Sequence, residues 1–272
     1  MKVALTGASG FVGIHLQKIF TDTVILNRHD TQEEIVTKLH KVDVVINLAG
    51  APIVQRWNES YKKILTSSRV DITRKLVGAM NKSEVKHFIS ASAIGAYPEG
   101  KPYDESYEGY SNDFLAQLTK EWEDEANKCT KPTAIIRFGV ILGKDGGALS
   151  KMLMPFKMGV GGNISHGKMM MSWIDIEDLV NIHFFILENK LTGVFNATAP
   201  NPVSNHIFTK ALGSILHRPT MFPLPEFVLK IIFGEGSIVL TGSKEVYPKA
   251  LENSGFIFKY KTIEQSLTHL LG

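Results

Sequence analysis

The sequence contains very little cysteine and no long apolar segment. Cys129 is the one cysteine in 272 residues, so no internal disulfide can form, and we expect a protein of the reducing cytoplasm. No apolar run reaches the length of a membrane-spanning helix, so we expect no membrane partner. The formal net charge is only +3 and no block of lysine or arginine occurs, so we expect no nucleic-acid partner.

The spacing of a metal site is missing as well. The nine histidines do not follow any metal-ligand pattern, and we predict no metal. Hydrophobic residues make up 44% of the chain and charged residues 21%, which is ordinary for a globular protein. The length fits one large domain, or one domain with an appended lobe.

The first thirteen residues hold the most informative motif. Val3 to Leu5 form an apolar run long enough for a buried strand, and an apolar helical pattern follows from Phe11 to Phe20. Glycines recur between them at every third position, which suits a tight turn that seats a pyrophosphate at a helix N-terminus. The predicted dinucleotide contacts of this turn are Gly7, Ala8, Ser9, Gly10, Phe11 and Val12, with Gly13 allowing close packing of helix and strand. The alternative is a glycine-rich turn in another α/β protein.

The end of the second predicted strand, Thr23 to Asn27, indicates which dinucleotide binds. Arg28 follows this strand at once, where an arginine suits the 2′-phosphate of NADP and an acidic residue would suit NAD. We therefore predict that Asn27 and Arg28 contact the cofactor and that NADPH is favoured over NADH. The alternative is that Arg28 is only a solvated charge.

The third predicted strand, Asp43 to Leu48, is almost continuously apolar, as a parallel sheet covered on both faces requires. A single helix, Thr31 to Leu39, separates it from the second strand, so we expect a sheet shortened at that edge. The small residues after the strand allow close approach of a dinucleotide, and we predict cofactor contacts at Leu48, Ala49 and Gly50.

The remaining chain alternates helices and strands as far as residue 143. We predict one long helix over 59–80, whose Ser67, Ser68, Arg69 and Arg74 are either solvated or face the cofactor, and a loop over 95–109. A strand over 133–138 is expected to continue through residue 143, and another is expected over 169–174. This pattern predicts an α/β fold with a doubly wound parallel sheet, in a domain over 1–158 to which segments near 163–198 return. A smaller mixed α/β lobe on the substrate side is predicted over 199–272.

Several motifs together resemble the extended short-chain dehydrogenases/reductases. They are Thr6 to Gly13, Asn47 to Gly50, Ser90-Ala-Ser92 and Trp173 to Asp178. Arg56-Trp57, Trp122-Glu123 and a tail with Gly234-Glu235 are similar to the "epimerase family" branch, which has its own C-terminal domain. The resemblance implies a Rossmann domain that binds NAD(P), with Ser90 among the cofactor contacts. It also implies a small polar substrate similar to a nucleotide sugar, and it leaves a homodimer open.

In the wider family a serine and a Tyr-x-x-x-Lys pair carry the chemistry, and only the serine is matched here, by Ser92. Asp113 falls at the tyrosine position, and Gln117 falls at the lysine position, from which it can reach a ribose hydroxyl. The one Tyr-x-x-x-Lys in the chain begins at Tyr97 and contains proline and glycine, so a helical pair is not expected there. The catalytic candidates are Ser92, Tyr97 and Asp113, although Asp113 is equally explained as a residue that begins a helix.

Two functions stay open at this stage. The first is an NADP-dependent reductase or epimerase of the extended short-chain type. The second is an NADPH-binding sensor or interaction protein with weak catalysis or none, because the Tyr-x-x-x-Lys pair is degenerate.

Overall fold

A computed structural model describes all 272 residues. The strands are β1 (Val3–Thr6), β2 (Thr23–Leu26), β3 (Val44–Asn47), β4 (His87–Ala93), β5 (Pro102–Tyr103), β6 (Thr133–Phe138), β7 (Val140–Gly143), β8 (Met170–Met171), β9 (Trp173–Asp175), β10 (Gly193–Ala197), β11 (Val203–Ser204) and β12 (Glu245–Val246). The helices are α1 (Phe11–Ile19), α2 (Gln32–Lys38), α3 (Glu59–Thr66), α4 (Ile72–Met80), α5 (Phe114–Ala126), α6 (Gly147–Lys157), α7 (Ile176–Glu188), α8 (Asn205–Ile215), α9 (Glu226–Phe233), α10 (Ile238–Thr241), α11 (Lys249–Asn253) and α12 (Ile263–Leu271).

Six parallel strands form the central sheet, in the order β10-β6-β4-β3-β1-β2. Helices cover both faces, which confirms the predicted doubly wound α/β fold. The sheet ends at β2, because the single helix α2 leads directly from β2 to β3 and leaves no residues for a further strand. The predicted shortening of this edge is therefore confirmed.

Alternate residues of the strands point to opposite faces of the sheet, and each face buries its own core. Leu5 and Ile46 belong to a cluster of 34 buried residues that includes residues of α1, α7 and α8. Ala4 and Val45 belong to a smaller cluster of 14 residues shared with α2 and α4. Burial on both faces explains why these strands are apolar without alternation.

The predicted strand through residue 143 is wrong beyond Phe138. The chain leaves the central sheet at Gly139, and β7 pairs instead with β9 as a separate parallel pair. A Cβ atom at Gly139 would lie 2.5 Å from the carbonyl oxygen of Ser172 and 2.9 Å from the side chain of Thr198. The missing side chain therefore allows the crossing at which the strand changes partners.

Two other predicted elements are interrupted and a third contains more structure than expected. The strand over 169–174 is two short strands, β8 and β9, which pair with different partners. The helix over 59–80 contains a π-helical segment, Ser67–Asp71, between α3 and α4. The region predicted as a loop over 95–109 begins within a 3₁₀ turn, Ile94–Ala96, and contains the short strand β5.

Two buried aspartates fasten the C-terminal segment to the rest of the molecule. The Asp178 carboxylate accepts hydrogen bonds from the backbone amides of Lys259 (2.9 Å) and Tyr260 (3.0 Å). Asp175 accepts one from the Ser266 hydroxyl at 2.6 Å. The motif from Trp173 to Asp178 therefore has an architectural role at the junction with the last residues.

We expect Asp178→Asn to lower the free energy of unfolding by about 1–3 kcal/mol, because an amide offers one acceptor oxygen to two backbone donors and leaves one of them unsatisfied. Urea denaturation measures this change. Glu264→Gln is the control, since Glu264 is exposed on α12. Equal stability of the two variants would contradict the anchoring role.

Candidate functional site

The glycine turn lies against the end of β3 at a distance that only glycine permits. Gly7 has a φ of +65°, and a Cβ atom there would lie 2.6 Å from the carbonyl oxygen of Leu48. A Cβ atom at Gly13 would lie 2.8 Å from the Cα of Ala8, and the Gly10 amide donates to the Gly7 carbonyl at 2.9 Å. The three glycines thus bring β1, α1 and β3 together at one point.

The N-terminus of α1 carries no side-chain cap and no acidic residue in its first turn. Ser9 and Gly10 are exposed there, whereas Ala8 and Val12 are buried. The ring of Phe11 packs over the loop at Gly143 and Gly146, so Phe11 presents only its backbone to the turn. Free amides at the positive end of a helix dipole suit an anion such as a pyrophosphate.

A buried polar network holds the neighbouring segment Leu48–Ala49–Gly50. The Thr6 hydroxyl donates to Asn47 Oδ1 at 2.7 Å and accepts from the amides of Leu48 (3.0 Å) and Ala49 (3.1 Å). Asn47 Nδ2 donates to the Thr73 hydroxyl at 2.8 Å. The sequence analysis identified Asn47 as part of a motif but missed the roles of Thr6 and Thr73.

Ser90 belongs to the same network and is buried, with its Oγ 3.4 Å from Asn47 Nδ2. Ser90 therefore helps to hold Asn47, the residue that precedes Leu48–Ala49–Gly50.

Arg28 and Lys75 both lie at the carboxyl end of β2, where Arg28 Nε donates to His29 Nε2 at 2.9 Å. Asn27 and Arg28 are exposed, and the ammonium group of Lys75 on α4 donates to the Arg28 carbonyl (3.0 Å) and the Asp30 carbonyl (2.5 Å). The Asp30 carboxylate is paired with Lys38 at 2.6 Å and accepts from the Asn27 amide at 2.7 Å. The Asp30 carboxylate is therefore already paired within the protein. Lys75, which was not predicted from the sequence, adds a second positive charge beside Arg28.

Arg69 lies beside Gly50 without any carboxylate partner. Its Nη2 donates to the Ala51 carbonyl at 2.9 Å, and its guanidinium lies 5.5 Å from the ring centre of Trp122. Burial lowers the pKa of Arg69 to about 10. The π-helical segment places this cation against the predicted cofactor segment, as π-bulges often do at functional sites. Arg74, by contrast, pairs with Asp71 and Glu125.

Ser92 and Tyr97 are both buried and already hydrogen-bonded. The Ser92 hydroxyl donates to the Glu123 carboxylate, which also accepts from Arg137 Nε at 2.8 Å. The Tyr97 hydroxyl donates to Asn196 Oδ1 at 2.9 Å, and burial raises the pKa of this tyrosine. Both hydroxyl protons are thus hydrogen-bonded within the protein.

Glu123 and Arg137 form a buried ion pair that the sequence analysis did not identify. Arg137 Nη2 lies 2.7 Å from Glu123 Oε2, and the two side chains are 5% and 2% exposed. The Tyr110 hydroxyl also donates to Glu123 at 2.7 Å. The one signal in the sequence was the Trp122-Glu123 pair, which carried no indication of its partners.

Asp113 is the one catalytic candidate that borders an open groove. It begins α5, where its Oδ1 accepts from the Ala116 amide at 3.0 Å. The groove, of about 660 Å³, lies between this residue, Trp57 and the α9–α10 segment. Gln117 is exposed, and its side-chain amide donates to the Ser111 carbonyl at 3.2 Å.

The sequence matches the NAD dependent epimerase/dehydratase family over residues 3–197. This chain belongs to that family. A second match, over residues 224–270, is to a domain of unknown function, DUF1731. The predicted resemblance to the epimerase-family branch is confirmed.

Relatives of this family member align over the whole chain. It is 36% identical to the epimerase family protein SDR39U1 homolog, chloroplastic, of Arabidopsis thaliana, with 100% of this chain and 87% of the relative covered. It is 35% identical to the epimerase family protein YfhF of Bacillus subtilis, with 100% and 98% covered. A crystal structure of the human epimerase family protein SDR39U1 with NADPH has a TM-score of 0.93 at 30% identity and 100% and 99% coverage.

This epimerase-family structure has neither a membrane-spanning helix nor a cluster of metal-binding side chains. None of its helices combines the length and the apolar character needed to cross a bilayer. No group of three or more His, Cys, Asp or Glu side chains is arranged to hold a metal ion.

We expect Gly13→Ala to lower stability by about 1–3 kcal/mol, because the added methyl group overlaps the backbone of the glycine turn. Gly95→Ala is the matched control, since the nearest atom to a Cβ there is 3.5 Å away. Thermal unfolding of both variants provides the comparison. A Gly13→Ala protein as stable as the control would show that the turn does not need this close contact.

Proposed function

We propose that this protein is an NADPH-binding oxidoreductase of the epimerase/dehydratase family. The observation that carries the proposal is the three-glycine turn packed against Leu48, which leaves the N-terminus of α1 uncapped. A Cβ atom at Gly7 would overlap the backbone of Leu48, and one at Gly13 would overlap the backbone of the turn itself. The NADPH in the similar human structure supports the same assignment.

In this proposal, different residues around the turn bind different parts of the cofactor. The amides of the turn and of α1 bind the pyrophosphate, and Leu48, Ala49 and Gly50 provide a wall of small residues. Arg28 and Lys75 favour a 2′-phosphate, since Asp30 is held by Lys38 and does not face a ribose as a free acid. Arg69 supplies a further positive charge beside Gly50.

Bound NADPH supplies the hydride, and the protein must supply a proton-transfer group. Asp113 is our candidate for that group, because it borders the groove and uses only Oδ1 in capping α5. Its other oxygen, Oδ2, is left to hold or release a proton at a substrate oxygen. Gln117 remains a proposed ribose contact. Ser92 acts through Glu123 as part of the supporting framework rather than at the substrate.

A second function is an NADPH-binding protein without turnover. The specific observation in its favour is that the protons of Ser92 and Tyr97 are both donated to buried acceptors. In that case the turn and the cations retain their roles, and the groove is a binding surface only.

We expect NADPH to bind more tightly than NADH, because only NADPH carries the 2′-phosphate. For the same reason, Arg28→Ala should weaken NADPH binding about tenfold and leave NADH binding unchanged. Nicotinamide fluorescence measures both affinities. Lys18→Ala, an exposed change at the far end of α1, serves as control. Equal affinities for the two dinucleotides in the unmodified protein would contradict the NADPH preference.

Asp113→Asn tests the proton-transfer role, since asparagine is an equally good helix cap but has no carboxyl group to hold or release a proton. We expect NADPH affinity and stability to be retained while hydride transfer to a panel of carbonyl compounds falls about 10²–10⁴-fold. The Ser92→Ala variant should lose less. Unchanged turnover in Asp113→Asn would exclude the role, and no turnover in the unmodified protein would favour the second function.

A further inference from the structure

The groove beside Asp113 is formed by two distant parts of the chain. Trp57 and residues 113–115 form one side, and the segment from α9 to α10 forms the other. A backbone contact between Trp57 and Gly234 joins the two sides. Its volume of about 660 Å³ is in the range of small-molecule sites.

The charges of the groove are mostly negative and largely paired. Asp113, Glu226 and Glu235 line it, and Lys230 is the single lining cation. The Lys230 ammonium lies 2.9 Å from Glu226, and nearby Lys62 lies 2.6 Å from Glu235. Each of these lysines therefore already has a glutamate partner.

No arginine lines the groove either. A nucleoside diphosphate needs several cationic or amide donors to replace its water. With three carboxyl side chains, one lining lysine and no arginine, the groove is unfavourable for such a group.

The walls of the groove are instead suited to an apolar ring. The Trp57 and Phe114 rings meet edge to face with centroids 5.4 Å apart. Trp57 Nε1 donates to the Ile53 carbonyl at 2.9 Å, so its one polar atom is already satisfied. Leu115 and Ile238 extend the apolar surface. Trp57 itself is buried, and it holds the half-buried Phe114 ring in place at the groove. A rigid apolar surface of this kind favours flat, uncharged ligands.

We propose that the groove takes a neutral carbonyl compound with an apolar ring, and not a nucleotide sugar. This inference rests on the proposed oxidoreductase function, and it replaces the expectation of a nucleotide-sugar-like substrate. The Asp113 carboxyl group, when it holds a proton, donates it to the carbonyl oxygen.

The test is calorimetry on the protein loaded with NADP⁺, which has no hydride to transfer, so that the heat reports binding without turnover. The three probes are acetylnaphthalene, its carboxylated analogue acetylnaphthoate, and UDP-glucose. We expect acetylnaphthalene to bind saturably, acetylnaphthoate to bind about tenfold more weakly because of its one added negative charge, and UDP-glucose to give no saturable heat.

Two isoleucine variants locate the site of binding. Ile238→Trp fills the groove and should abolish acetylnaphthalene binding. Ile19→Trp places the same side chain at a residue of similar exposure, 44% against 38%, at the far end of α1, and should leave binding unchanged.

Saturable binding of UDP-glucose that Ile238→Trp removes would overturn the proposal. The proposal would also be overturned if acetylnaphthalene did not bind, or if it bound equally to the Ile238→Trp and Ile19→Trp variants. NADP⁺ binding is measured first in each sample and without any probe. A failure at that step refutes the proposed function, whereas a failure at the probe step refutes only the substrate class.

Discussion

The close contact between the glycine turn and the end of β3 is the constraint on which the rest of the site depends. The backbone of Gly7 lies against Leu48, and the Thr6 hydroxyl binds the amides of the same segment. Together these contacts fix β1 and β3 at their carboxyl ends and expose the N-terminus of α1 between them. No side chain fits at this junction, and the N-terminus of α1 beside it has no side-chain cap.

A second constraint is the buried ion pair Glu123–Arg137, whose carboxylate accepts a hydrogen bond from the Ser92 hydroxyl. A carboxylate and a guanidinium so completely buried are stable only when their remaining hydrogen bonds are satisfied. Ser92 and Tyr110 complete that set around Glu123. The Ser92 hydroxyl is thus hydrogen-bonded to the Glu123–Arg137 pair, whereas Asp113 lies at the border of an open groove.

The local parts of the site were predictable, and the parts formed by distant residues were not. Strand, turn and helix around Gly7 to Gly13 are encoded within thirteen residues. The apolar strands indicated the parallel sheet, and the single helix between β2 and β3 indicated its short edge. Ser92 and Glu123 lie 31 positions apart, and Tyr97 meets Asn196 across 99, so periodicity gives no sign of either contact. The change of partners at Gly139 likewise depends on Ser172 and Thr198, which only the folded chain brings near.

Hydrogen–deuterium exchange with and without NADPH tests the central claim most directly, because it reports on the backbone amides to which the cofactor is assigned. The account predicts slower exchange at residues 8–13 and 48–51 when NADPH is present, with little change at residues 234–241 beside the groove. Unchanged exchange at both of the first two segments, or protection confined to the groove, would contradict it.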